Sequence, residues 1–106
     1  MDDLEFREVA EEFSAKLHQR LQDMTLDCVA EDWQSLVNHA RWLKGSGATA
    51  GYEQLTIPAT RLERLARQHS HDTIEDLLRE LDHLSQAITE ELSAAGNQSE
   101  IAMATA

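Results

Sequence analysis

The chain has 106 residues, 42% of them hydrophobic, with one proline, four glycines, one cysteine and a net charge of −11. That size fits one domain with one core, and the shortage of helix breakers and of Val and Ile disfavours a sheet. The charge excludes nucleic acid and direct membrane contact as partners, and the lone Cys28 excludes an internal disulfide and fits a reducing compartment.

Helix one follows from apolar residues at steps of three and four: Phe6, Val9, Phe13, Leu17, Leu21, Met24 and Cys28. Asp2, Asp3 and Glu5 crowd its start, where the helix dipole favours negative charge. Asp32 is the expected N-cap of helix two, which spans Trp33 to Ala50 with Trp33, Leu36, Ala40, Leu43, Gly47 and Ala50 on one stripe. Gly51 is the expected left-handed residue that ends it. Gly45 and Gly47 inside a helix each cost about 1 kcal/mol relative to alanine, so a close approach by another surface is expected to compensate.

Thr56-Ile57-Pro58 reads as the start of helix three, with Thr56 as cap and Pro58 in the first turn. Leu55, Ala59, Leu62, Leu65 and Ala66 face inward, and Gln68-His69-Ser70-His71 is a polar turn. Helix four, capped by Ser70 or Asp72, carries Ile74, Leu77, Leu78, Leu81, Leu84, Ile88 and Leu92 and is expected to stop at Gly96. Four amphipathic helices with short connections bury their stripes most simply as an antiparallel four-helix bundle, an all-α fold. The expected domain is 1–95, followed by a disordered C-terminal tail, 96–106, without periodicity.

Charge is unevenly spread. Residues 1–35 and 71–106 each carry −7, whereas residues 36–70 carry +3 through Arg41, Lys44, Arg61, Arg64 and Arg67 against Glu53 and Glu63. Conventional active sites are missing. The pair His69 and His71 has no cysteine or third histidine near it in sequence, so it reads as a solvated turn, and no metal or cofactor is expected. Ser46 follows no strand, which excludes a nucleophile elbow, and Gly45-Ser46-Gly47 lies within a helix, which excludes a phosphate-binding loop.

The segment Ala40-Arg41-Trp42-Leu43-Lys44-Gly45-Ser46-Gly47-Ala48-Thr49-Ala50-Gly51-Tyr52 resembles the phosphoacceptor helix of histidine-containing phosphotransfer (HPt) domains, whose signature reads Ala-His-x-Leu-Lys-Gly-Ser, then small residues, then Gly. Leu55, Thr56 to Ala59 and Leu62-Glu63 extend the likeness, which covers about residues 5–93. The resemblance implies bacterial two-component phosphorelay signalling and a partner that is the receiver domain of a response regulator or hybrid kinase. It implies a cytoplasmic, monomeric, non-catalytic domain, either free or at the cytoplasmic end of a larger sensor kinase. A start without a basic apolar leader and the lack of a 20-residue apolar run agree with that location.

The family's histidine falls on Arg41, and a guanidinium stays protonated and is no phosphoacceptor. Positions 41, 44, 45 and 48 share one helix face, opposite the core stripe. Gly45, one turn after Arg41, keeps that face open, and Lys44 offers a cation to phosphoryl charge. The leading expectation is therefore a domain that docks receivers without carrying phosphate, through Arg41, Trp42, Lys44, Gly45, Ala48, Tyr52, Arg61 and Arg64. Two alternatives stand beside it: phosphotransfer through His39, which lies about 200° around the helix from Arg41, and a structural or dimerisation bundle.

Overall fold

A computed structural model describes the backbone of residues 3–105 and the side chains of residues 6–94. It contains α1 (Asp3–Val29), α2 (Trp33–Thr49), a 3-10 turn (Glu53–Leu55), α3 (Thr56–Arg67) and α4 (His71–Thr105), with no strand among the described residues. α1 packs on α2, α2 on α3, α3 on α4 and α4 back on α1, while the diagonal pairs stay apart. That ring, closed by short connections, is an antiparallel four-helix bundle.

The core is built from the expected stripes. Leu17, Leu36, Leu43, Leu55, Leu62 and Leu81 are fully buried, and Met24, Ile74 and Cys28 join them. The stripe of α1 enters the core only from Ala10 and Phe13 onward. Phe6 and Val9 stay partly exposed: the Phe6 ring lies against Gly51, just past the end of α2, and Val9 borders an open groove beside the last turns of α2.

Helix ends explain how four helices fit so few residues. The Asp32 side chain accepts a hydrogen bond from the Ser35 N–H, which caps α2 as expected. α2 ends in a Schellman reversal: Tyr52 N–H donates to the Gly47 carbonyl at 2.8 Å, Gly51 N–H donates to Ala48, and Gly51 has φ +92°. The same pattern ends α1 and α3, with Glu31 (φ 56°) and His69 (φ 55°) in the left-handed position that glycine usually fills.

Two boundaries differ from expectation. Thr56 is the first residue of α3 and makes no capping bond, because the 3-10 turn delivers the chain in helical geometry and Leu55 occupies the cap position. At the other end the backbone of α4 continues through Gly96 to Thr105, since one glycine costs only about 1 kcal/mol inside a helix. The expected tail, 96–106, lies outside the residues whose side chains are described. No described helix is long and apolar enough to cross a membrane.

Candidate functional site

α2 presents two different faces. Leu36, Val37, Ala40, Leu43 and Gly47 point into the bundle. Arg41, Gly45 and Ala48 are exposed on the outer side, with Lys44 half-buried beside them. The two helical glycines sort between these faces. A Cβ on Gly47 would lie 3.4 Å from Leu55 Cδ1, at van der Waals contact, so Gly47 sits against the turn leading into α3. A Cβ on Gly45 would meet nothing within 4 Å. Packing within this chain therefore gives no reason for glycine at position 45.

Three of the five bases of the middle third converge on one acid. Glu63 of α3 is 17% exposed and accepts from Arg67 Nη2 at 3.0 Å, Lys44 Nζ at 3.3 Å and Arg41 Nε at 3.4 Å. The Arg67 hydrogen bond, then that from Lys44 and a smaller one from Arg41, hold the Glu63 carboxyl below the ordinary glutamate range. One negative charge faces three positive ones, so the cluster keeps a net charge of +2 on a surface that is otherwise acidic. Among the described residues, Arg41 is hydrogen-bonded only through Nε. Grooves flank Arg41 on both sides. One of about 460 Å³ between α1 and α2 is lined by Val9, Phe13, Trp42, Gly45 and Ser46, and one of about 150 Å³ between α2 and α3 by Trp33, Val37 and Arg67.

The remaining sequence-predicted site residues separate into two groups. Trp42 lines the α1–α2 groove beside Arg41, but its ring stacks on Phe13 (centroids 5.5 Å apart) and lies under the Arg20 guanidinium at 4.4 Å. Tyr52 also stacks on Phe13, at 5.7 Å, and burial together with the Glu91 charge pushes its phenol up. Arg61 is drawn the other way, to Glu80 of α4 at 3.9 Å, because two residues along α3 turn it away from Glu63. Arg64 is exposed. The structure thus gathers Arg41 and Lys44 with Arg67, not with Arg61. The i, i+4 spacing of Glu63 and Arg67 was the sequence signal for this arrangement.

His39 sits on the edge of α2 that faces α1, with its side chain 12% exposed. Both ring nitrogens are engaged. Arginine only donates, so Arg20 Nη1–H donates a hydrogen bond to Nδ1 at 3.3 Å, and Nε2–H donates to Asp27 Oδ2 at 3.1 Å. Asp27 also accepts from Ser35 Oγ at 2.7 Å.

Two polar clusters between α1 and α4 are invisible in the sequence. In the first, Thr89 Oγ1 donates to the Ser85 carbonyl and accepts from Ser14 Oγ (3.0 Å) and His18 Nε2 (2.8 Å), while Ser85 Oγ donates to His18 Nδ1 at 3.3 Å. The second corrects the premise on which His69 and His71 are set aside. The fold brings a cysteine to His71: ligand atoms of Cys28, His71 and Glu75 all lie within 4.8 Å of one another. Burial, and then the Glu75 charge, push the Cys28 thiol up.

A family model described as the Hpt domain matches residues 8–98. No curated protein and no solved structure matches the chain.

Proposed function

The chain belongs to the Hpt domain family, a phosphorelay signalling family whose members interact with receiver domains of response regulators, and on that premise we propose that it docks receivers without carrying phosphate. The carrying observation is the outer face of α2. Arg41 stands there where the family keeps histidine, one turn from Gly45, where a Cβ would meet no described atom within 4 Å. A glycine with open space above it is understandable if another molecule's surface must come close to position 41.

Receivers surround their phosphorylatable aspartate with acidic residues, and a patch of net +2 is complementary to them. Arg41 uses only Nε within the chain, so its fork retains donors for a carboxylate or an acyl phosphate. A docked receiver would draw Arg41 and Lys44 away from Glu63. The cost of that exchange is small, because a receiver carboxylate would replace the Glu63 carboxylate as partner and surface ion pairs contribute little to stability. Phosphotransfer through His39 is disfavoured by its geometry. A phosphoacceptor needs a free, accessible nitrogen lone pair, whereas Nε2 carries a proton bound to Asp27 and Nδ1 already accepts from Arg20.

Two measurements test this reading. Wild type and Arg41→Glu are titrated against candidate receivers; wild type is expected to bind and the variant to lose at least about tenfold in affinity, about 1.4 kcal/mol. Equal binding by both would remove Arg41 from the interface. Incubation of wild type, His39→Ala and Arg41→His with phosphorylated receivers is expected to label Arg41→His alone. Label on wild type that vanishes in His39→Ala would reinstate His39 as the acceptor.

A further inference from the structure

We propose that Cys28, His71 and Glu75 form a zinc-class metal site that staples the last turn of α1 to the first turn of α4. The fold itself creates it. Residues 28 and 71 are far apart in sequence, but α1 and α4 are antiparallel neighbours, so the end of one meets the start of the other. His71 and Glu75 are one helical turn apart and lie on the same face, with His71 Nδ1 3.4 Å from Glu75 Oε1. Cys28 approaches from the opposite helix, and the three ligand atoms lie within 4.8 Å of one another.

The surroundings of Cys28 suit a ligand. The residue is 2% exposed, yet its sulfur is not simply enclosed by hydrocarbon. It is aimed at the start of α4, where its polar neighbour is the His71 carbonyl at 4.0 Å, the outer limit for a sulfur hydrogen bond. A buried sulfur with so weak a partner, next to an imidazole and a carboxylate, has the composition of a metal ligand set. There is also a route in: a groove of about 420 Å³ between α1 and α4 is lined by both Cys28 and Glu75.

The ligand chemistry selects the ion. Thiolate and imidazole suit zinc and similar borderline cations, and the hard ions magnesium and calcium prefer oxygen alone. Zinc bonds of about 2.0–2.3 Å require the three atoms to draw inward. Glu75 is 46% exposed and His71 36%, so both side chains have room to rotate while Cys28 stays fixed. A fourth position is open to water. Binding would tie the two ends together. It would also immobilise the ring that Trp33, the first residue of α2, meets edge-on at 6.4 Å.

The test uses the reduced full chain titrated with cobalt and then zinc. Wild type is expected to bind one cobalt with a thiolate-to-metal charge-transfer band that zinc abolishes, and zinc is expected to raise the thermal midpoint. Cys28→Ser should lose the band and the zinc-dependent rise. Glu75→Gln changes an exposed side chain, so it keeps the fold, and it should weaken cobalt binding at least about tenfold. Absence of the band in wild type would overturn the site. Zinc affinity unchanged in either variant would also overturn it, by assigning binding to other surface groups. None of these readouts involves a receiver, so the result is independent of the docking function proposed above.

Discussion

Single residues carry the functional reading, and Gly45 is the cleanest of them. Glycine within a helix costs about 1 kcal/mol, and here no neighbouring atom stands where a Cβ would go. Gly45→Ala is therefore expected to raise stability by about 1 kcal/mol in a denaturant titration while weakening receiver binding. A gain in stability with unchanged binding would remove position 45 from the interface. Glu63 makes a different prediction. Its carboxyl is held below the ordinary range by Arg67, Lys44 and Arg41, so its ionised form stabilises the folded chain. The contribution is complete at neutral pH and is lost as pH falls below about 4.5, through the lowered value. Wild type should thus be more stable than Glu63→Gln near neutrality, and thermal melts across an acid series should show the gap closing. A gap of constant size would mean that Glu63 acts through packing alone.

At the scale of elements, the helix ends hold more information than the helix middles. All three interhelical reversals are Schellman motifs, yet only α2 ends in a glycine, Gly51. Glu31 and His69 take the left-handed conformation at a cost of about 1–2 kcal/mol each. His69 recovers part of this by stacking on Trp33 at 5.0 Å, and Glu31 has no such contact among the described residues. Glu31→Gly is accordingly expected to raise stability by about 1 kcal/mol, read as a higher denaturation midpoint with an unchanged slope. No change would indicate that the left-handed position is not strained. A sequence reading that looks for glycine finds Gly51 and misses the other two, because hydrogen bonds to earlier carbonyls hold the reversal whichever residue occupies it.

For the whole molecule, the joint between α1 and α4 is distinctive. Among the described residues the buried polar side chains are Ser14 and Ser85, and this seam joins them with His18 and Thr89 in a network that leaves no buried side-chain polar atom without a partner. Such a network fixes the register of one helix against the other, since a slip of one turn would strand buried hydroxyls. Thr89→Val preserves shape and removes the shared oxygen, leaving Ser14 and His18 without their partner. The expected cost is about 1–3 kcal/mol. Combining it with Ser14→Ala should recover part of that loss, and a strictly additive double variant would show that the two hydroxyls are not coupled.

The sequence alone determined the helices, the bundle and the family, and the reason is periodicity. Apolar steps of three and four placed Leu17, Leu36, Leu43, Leu62 and Leu81 in the core, and the Leu43-Lys44-Gly45-Ser46 motif together with Arg41 identified the outer face of α2. These signals are local, spanning one or two helical turns. Partnerships between helices lie beyond such a reading. Nothing in residue order shows that Glu63 of α3 gathers Arg41 and Lys44 of α2, that Arg61 turns instead to Glu80, or that Arg20 and Asp27 close around His39. Nor does it show that Cys28 meets His71. Those contacts depend on which helices are neighbours and on their rotation about their own axes. Both are set by packing of the whole core, so only the tertiary structure decided them.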